Sequence, residues 1–265
     1  MKKISSYAVV GLILSLTLQG CQTTQSNLKQ DPKKSAEVRT QIAAEYIRSG
    51  DLDAAKRSLD EALQKDDRDA TANMMMGVLL QQEGSSSNLE KADRYFKRAI
   101  SLNSTDAQIR NNYGRYLYQL GRYNEAEKQL QIAGSTLGYD QRAMALENLG
   151  QTYLRLGNTT AAEQAFMSAL RADQSSPVAL VELAEIMYQR QQYNTASDFY
   201  EGYVRIVGSK NQSAQALWVG IRIARANGDN MSMQILVNQL RALYPDSQEY
   251  QRYLKLQYST EAVWK

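Results

Sequence analysis

The side chains that most often catalyse reactions are nearly missing from this chain of 265 residues. It has no histidine and a single cysteine, Cys21. Zinc-protease motifs and Ser–His–Asp triads therefore cannot form, and no Walker A or dinucleotide-binding glycine pattern is present. Carboxylates are numerous, but we expect ordinary solvated helix positions for Glu147, Glu163, Glu182 and Glu185. We therefore predict a protein that is not an enzyme and that uses no metal and no cofactor.

Cys21 is the residue whose type and setting predict a specific reaction. It follows Leu18 and Gly20 at the end of an apolar run, residues 7–18, which is too short to span a bilayer comfortably. This arrangement resembles a bacterial lipobox, with an apolar residue at minus three and a small residue at minus one. Only a cysteine thiol can take the diacylglyceryl thioether, so the resemblance implies acylation of Cys21. The alternative is an ordinary signal peptide with a cysteine there by chance.

These features divide the chain into three parts. Residues 1–20 are predicted to be a lipoprotein signal peptide, 21–35 a polar, lipidated flexible tether, and 36–265 the folded domain. Two or three acyl chains anchor stably, because each buried methylene contributes about 0.8 kcal/mol. In lipoproteins of this kind an Asp after the cysteine favours retention at the inner membrane. Gln22 stands there instead, which favours the outer membrane of a Gram-negative bacterium. We expect the protein at the periplasmic face of that membrane.

Charge excludes another class of partner. The chain has 31 basic and 28 acidic residues, and Lys2 and Lys3 lie in the segment that we expect to be removed, which leaves 29 basic residues. A balanced charge argues against a nucleic-acid or anionic-surface role. Nothing in the sequence indicates a small-molecule substrate either.

Two amphipathic helices are predicted within residues 143–176, and they must bury their apolar faces against neighbours. Their pattern recurs at close to 34 residues, which is the tetratricopeptide period. Small residues allow the two helices to approach closely where they cross, as Gly150 does in the first helix. The recurring sites are occupied as follows: close-packing site, Gly77, Gly114 and Gly150; turn, Gly50, Gly84, Gly121, Gly157 and Gly228; small site of the second helix, Ala55, Ala92, Ala126, Ala162 and Ala196; large site, Leu59, Phe96, Leu130, Phe166 and Tyr200.

On these residues the chain resembles tetratricopeptide-repeat proteins. The resemblance implies an all-α fold, a right-handed superhelical solenoid of about six helix-turn-helix repeats with a C-terminal capping helix. The repeats are read at 36–69, 70–106, 107–140, 143–176, 177–210 and 214–247, and the capping helix at 248–265. The sequence departs from the repeat consensus at two turns. We expect Gly84 to Asn88 to form a flexible loop extension, and Gln191 replaces the turn glycine of the fifth repeat. A generic helical bundle is the alternative fold.

A more specific resemblance rests on the sixth repeat. The run from Leu217 to Arg225 with Tyr244-Pro245 is similar to the end of the type IV pilus biogenesis/stability lipoproteins, the PilF/PilW pilotin family. That family implies an outer-membrane lipoprotein that binds the secretin of the pilus machinery and promotes its localisation and multimerisation. Two other functions remain open: a general periplasmic adaptor in envelope assembly, and a recruiter or regulator of a peptidoglycan hydrolase.

The repeat class also locates a partner site. Its concave groove is lined by positions two, five, nine and twelve of each first helix, and a groove of this kind holds an extended or helical peptide. In this chain those positions include Met74, Val78, Gln81, Asn111, Arg115, Tyr118, Met144, Glu147, Gln151, Leu154, Val181, Glu185 and Tyr188. Arg115 and Tyr118 are the strongest candidates, because Arg and Tyr dominate binding hot spots. The convex side and the Met74–Met76 edge are the rival sites.

Overall fold

A computed structural model describes residues 31–260 and residue 264, and the elements in this part of the chain are all α-helices. The predicted signal peptide, Cys21 and most of the tether lie outside the described residues. The helices are α1 Pro32–Ser49, α2 Leu52–Lys65, α3 Ala70–Glu83, α4 Ser86–Leu102, α5 Ala107–Gln119, α6 Tyr123–Ser135, α7 Arg142–Arg155, α8 Thr159–Ala172, α9 Pro177–Gln189, α10 Tyr193–Val207, α11 Ala214–Ala226, α12 Asn230–Leu243 and α13 Gln248–Leu256.

Twelve of these helices form six consecutive pairs, and each pair packs on the next. The predicted all-α tetratricopeptide superhelix is therefore confirmed. Most helices begin at an Asp, Asn or Ser whose side chain accepts a hydrogen bond from a backbone N–H two or three residues later, as Asp69 does from Ala72 and Ser213 from Ala216. One continuous apolar strip runs through most of the pairs, and a second cluster lies under α11, α12 and α13.

Two helices begin earlier than predicted, each because of a capping residue. Asp31 accepts a hydrogen bond from the Lys33 N–H at 3.0 Å, and Pro32 occupies the first helical position, so residues 32–35 are helical rather than part of the tether. Similarly, Ser85 caps α4 by accepting from the Asn88 N–H at 3.2 Å. The predicted loop extension at Gly84 to Asn88 is wrong, because its last three residues form the first turn of α4.

The capping helix is shorter than the predicted 248–265. Helix α13 ends at Leu256, and the Ser259 N–H bonds the Leu256 carbonyl at 2.7 Å to form a turn. The Arg225 side chain on α11 donates to the Ser259 carbonyl at 2.9 Å. This bond holds the turn against α11, so the chain stays close to α11 instead of continuing as a helix.

The second, third and fourth pairs are each held by a large side chain of the second helix that fills the space above a glycine of the first. A Cβ added to Gly150 would lie 2.6 Å from the ring of Phe166, and one added to Gly77 would lie 3.0 Å from the ring of Phe96. The fifth repeat uses the motif differently: Tyr200 packs over Gly220 of the next repeat, where an added Cβ would lie 2.2 Å from the ring. The small sites therefore admit a bulky side chain, and they do so both within and between repeats.

Gln191 keeps the left-handed turn that glycine makes in the other repeats. Its φ is +62°, the single positive value at a non-glycine residue within the described chain. The surrounding hydrogen bonds match those of the fourth repeat: the Gln191 N–H bonds the Tyr188 carbonyl at 2.9 Å, as the Gly157 N–H bonds the Leu154 carbonyl at 3.1 Å. The turn geometry is thus preserved, and Gln191 carries the strain of a left-handed conformation.

We expect Gln191→Gly to stabilise the protein by about 0.5–1 kcal/mol. Relief of the left-handed strain, about 1–2 kcal/mol, is partly offset by the larger unfolded-state entropy of glycine. Thermal and urea melts of the purified chain measure the change. The matched control is the reverse change, Gly157→Gln, at a φ of +75° with nothing within 4 Å of an added Cβ, and it should destabilise by a similar amount. Equal melts for the wild type and both variants would contradict the strain at Gln191.

Candidate partner-binding groove

The first helices of successive pairs lie side by side and form one face of the array: α1 contacts α3, α3 contacts α5, α5 contacts α7, and α9 contacts α11. Polar side chains bridge these neighbours at matching positions. Gln81 donates to Gln119, the Asn148 amide donates to Asn111 Oδ1 at 3.1 Å, and Arg155 Nε donates to the Tyr118 hydroxyl at 3.1 Å. We refer to this face as the groove.

The residues that sequence reasoning assigned to the groove differ in exposure. Arg115 and Met144 are exposed. Seven others are partly exposed: Val78, Gln81, Tyr118, Glu147, Gln151, Leu154 and Glu185. The remaining four are buried: Met74, Asn111, Val181 and Tyr188. The prediction of an open surface is wrong for these four, because neighbouring helices approach closely enough to cover them.

The Met74–Met76 edge is not an exposed rival site. Met74 and Met76 are buried, and the partly buried Met75 packs against the same core. The reason is that α3 contacts helices on several sides, namely α1, α2, α4 and α5. A helix enclosed in this way buries side chains all round rather than along one stripe.

Asn111 has a structural role at the junction of the third and fourth repeats. Its amide nitrogen donates to the Tyr139 hydroxyl at 3.3 Å, and its carbonyl oxygen accepts from Asn148. Burial raises the pKa of the Tyr139 phenol, and the hydrogen bond from Asn111 opposes that rise. Both polar ends of the buried Asn111 amide are therefore satisfied, and the bonds fix α5 against α7 and the loop before it.

An open cavity of about 330 Å³ lies in the groove between α3 and α5. Three of the predicted site residues line it together: Val78, Gln81 and Arg115. Gln82, Asn112 and Gln119 complete the lining. Three glutamine amides and an asparagine amide offer donors and acceptors that match peptide groups, and Arg115 adds a cation for a carboxylate or a backbone carbonyl. The cavity can therefore receive part of a polypeptide.

Tyr118 stands one turn beyond this cavity. Its ring meets Tyr123 edge-on with centroids 5.4 Å apart, and its hydroxyl accepts from Arg155. The ring is therefore positioned by two neighbours before any partner arrives. A fixed aromatic side chain loses little conformational entropy on binding, which suits it for a contact surface.

The groove carboxylates are not the solvated groups that the sequence suggested. Burial raises the pKa of Glu182, and the neighbouring charge of Glu185 raises it further, while Gln215 and Arg155 lower it. Burial also raises the pKa of Glu147, which accepts a hydrogen bond from the Ser176 hydroxyl. Glu185 is ion-paired with Arg222. The expectation of ordinary solvated positions is therefore wrong for these three residues.

Sequence reasoning missed two further sets of residues. The turn at Gly228 sets the register of the sixth repeat and assigns its groove positions to Gln215, Trp218, Arg222 and Arg225. Of these, Gln215 donates to Glu182 and Arg222 donates to Glu185, both on α9. At the opposite end of the array, an apolar stripe on α1 is exposed to solvent: Val38, Ile42 and Tyr46.

The described residues hold no group of three or more acidic, histidine or cysteine side chains that could bind a metal ion. Within the same residues, every helix is too short or too polar to cross a membrane.

Comparisons with known proteins agree with this architecture. Tetratricopeptide-repeat families match residues 105–175 and residues 40–86 and 147–211. Type IV pilus assembly protein PilF of Pseudomonas aeruginosa is 31% identical over 93% of this chain and 97% of its own length. The solved structure of that PilF has a TM-score of 0.79 at 30% identity, covering 84% of this chain and 98% of its own. PilW, a widely conserved type IV pilus biogenesis factor, has a TM-score of 0.71 at 29% identity, covering 83% and 98%.

Glu182→Gln tests the electrostatics of the groove. A carboxyl with a raised pKa in the folded state binds its proton more tightly there than when unfolded, so its contribution to stability is lost as pH rises through that pKa. Glutamine removes the buried charge and can still accept from Gln215. We expect the melting temperature to rise by about 1–3 °C at pH 7, as a gain of under about 1 kcal/mol gives in a domain of this size.

Melts at several pH values provide the check. The gain from Glu182→Gln should shrink as pH falls and should level off below the ordinary pKa of Glu, where the wild-type carboxyl is protonated in both states. Glu90→Gln at an exposed position of α4 is the control, and it should show no such trend. A Glu182→Gln gain that stays constant with pH would contradict the raised pKa.

Proposed function

We propose a pilotin function for this chain, which belongs to the PilF/PilW family of type IV pilus tetratricopeptide-repeat proteins. A pilotin is a non-catalytic scaffold that binds the outer-membrane secretin of the pilus machinery. The observation that carries the proposal is the match to PilF along nearly the whole of both chains. A match of this extent covers all six helix pairs rather than a few repeats.

The groove supplies the chemistry that such a scaffold needs. The cavity with Arg115, Gln81 and Val78 combines a cation, an amide and an apolar side chain within one concave space. Tyr118 continues this surface towards α7, where it meets Arg155. A secretin segment in an extended or helical conformation would exchange hydrogen bonds with the amides and bury an apolar residue against Val78 and Tyr118. Binding of this kind would hold secretin subunits together during multimerisation.

A lipid anchor completes the proposal. Cys21 stands where a lipobox cysteine is expected, and Gln22 follows it. We propose that Cys21 is the acylated N-terminus of the mature chain and that the protein resides at the periplasmic face of the outer membrane. The anchor would keep the repeats beside the membrane into which the secretin inserts.

Arg115→Ala combined with Tyr118→Ala tests the groove. We expect the affinity for the secretin's periplasmic region to fall about 10- to 100-fold, since hot-spot side chains contribute about 2 kcal/mol or more. Secretin multimers in the outer membrane should fall in parallel. Calorimetric titration with purified secretin fragments and detection of heat-stable multimers are the two measurements.

The matched control is Arg98→Ala with Tyr95→Ala, the same pair of residue types on α4, the second helix of its repeat. It should leave both affinity and multimers unchanged. Thermal melts must first show that each double variant is folded, because Tyr118 also contacts Tyr123 and Arg155. Normal affinity and normal multimers in the folded Arg115/Tyr118 variant would remove the central groove from the mechanism.

Cys21→Ala tests the anchor. We expect metabolic palmitate labelling of the wild type and none of the variant, because no other residue of the chain carries a thiol. Membrane fractionation should find the wild type in the outer membrane and the variant outside it. Gln22→Asp is the matched control: it should keep the label but move the protein to the inner membrane. Equal labelling of the wild type and Cys21→Ala would refute acylation at this site.

A further inference from the structure

Trp264 is buried against the sixth repeat, beyond the turn that ends α13. It is 1% exposed. Its indole stacks on that of Trp218 with ring centroids 5.5 Å apart and planes inclined by 19°. Tyr253 of α13 meets it edge-on at 6.1 Å, and the guanidinium carbon of Arg225 lies 4.3 Å from the centre of its ring. Three residues from two helices therefore form a socket around this one side chain.

The socket is continuous with the groove, because Trp218 and Arg225 stand at groove positions of α11. The guanidinium of Arg222 lies 5.2 Å from the Trp218 ring and 4.7 Å from the Tyr188 ring on α9. Arg222 is itself 6% exposed and is ion-paired with Glu185. Aromatic rings and guanidinium groups thus form one column that runs from α9 across α11 to Trp264: Tyr188, Arg222, Trp218, Trp264 and Arg225.

We propose that the pocket formed by Trp218, Tyr253 and Arg225 is a tryptophan-binding site of the groove and that Trp264 is its intramolecular ligand. In this arrangement Trp264 acts as a plug that closes the sixth repeat's part of the groove to other polypeptides. The inference concerns the chain alone and does not depend on which protein binds the remaining groove.

Two observations indicate that the plug can be exchanged. None of the residues of α13 is buried, so within the described chain the C-terminal segment has one fully buried side chain, that of Trp264. In addition, the Trp264 Nε1–H is buried and has no hydrogen-bond partner among the described residues. An unsatisfied buried donor weakens the contact relative to water, where the same N–H is hydrogen-bonded. Stacking therefore favours an indole in the socket, but the Nε1–H of Trp264 lacks a hydrogen bond to the described residues.

The site recognises aromatic chemistry rather than charge alone. A tryptophan face binds a guanidinium better than any other side chain does, and parallel stacking on Trp218 requires a flat ring. An aliphatic residue would lose both contacts. A competing ligand is therefore a polypeptide segment with an accessible tryptophan, and the plug excludes such a segment while Trp264 is in place.

A peptide-binding experiment tests the proposal on the full chain. The probe is a labelled synthetic peptide of residues 256–265, LQYSTEAVWK. Full-length Trp264→Ala should bind it, and the wild type should bind it at least about tenfold more weakly, because the resident plug reduces the fraction of open sockets. The same peptide with alanine in place of tryptophan should bind neither chain. Arg225→Ala added to Trp264→Ala should weaken binding of the original peptide.

The result that overturns the proposal is equal binding of the peptide to the wild type and Trp264→Ala, or binding to neither. A second measurement guards against a misfolded variant. The chain has two tryptophans, Trp218 and Trp264, and their stacking should give the wild type an exciton couplet in the far-ultraviolet circular dichroism spectrum. Trp218→Phe and Trp264→Phe should each abolish the couplet while the helical signal stays. A wild-type spectrum without the couplet would also rule out the plug.

Discussion

The close contact between a small residue on one helix and a large side chain on the next is the constraint on which this structure depends. At Gly150 the ring of Phe166 occupies the space in which any Cβ would lie. The contact sets the distance and the crossing of α7 and α8, and the pair then presents one face to the groove and one to the next repeat. Since no pair buries its apolar surface alone, the stability of each repeat depends on its neighbours. The groove is therefore a property of the array, because the first helices of successive pairs form it together.

Packing also decides which groove residues remain available. Close approach of the first helices buries Met74, Asn111, Val181 and Tyr188, and polar bridges engage several of the others. What stays open is a cavity over α3 and α5, together with the partly exposed residues of α7. At the C-terminal end, the column from Tyr188 to Arg225 fills the equivalent space with the chain's own side chains. The open part of this face therefore lies over α3, α5 and α7.

The sequence predicts those features that depend on local spacing and misses those that depend on distant contacts. Helix pairs, turns and the Gly150 site follow from residue periodicity, and Gln191 could be recognised as a departure from the turn consensus. The register of the sixth repeat is less evident from the sequence. Gly220 resembles the close-packing glycine but is packed under Tyr200 of the preceding repeat. The turn glycine Gly228 shows the register that the structure has. Burial of Glu182 and of Trp264 depends on side chains more than thirty residues away in sequence, such as Gln215 and Trp218. Periodicity carries no information about contacts of that kind.

The two ends of the array differ in whether their apolar side chains are covered. The C-terminal end is covered by α13 and by Trp264, whereas the N-terminal end leaves Val38, Ile42 and Tyr46 exposed on α1. If Cys21 is acylated as proposed, residues 22–31 separate it from the start of α1, and even fully extended they reach at most about 35 Å. The exposed apolar stripe would then stand close to the membrane and the capped end far from it. A partner that assembles in that membrane would meet the open end first and continue into the groove over α3 and α5, before it reached the part that Trp264 closes.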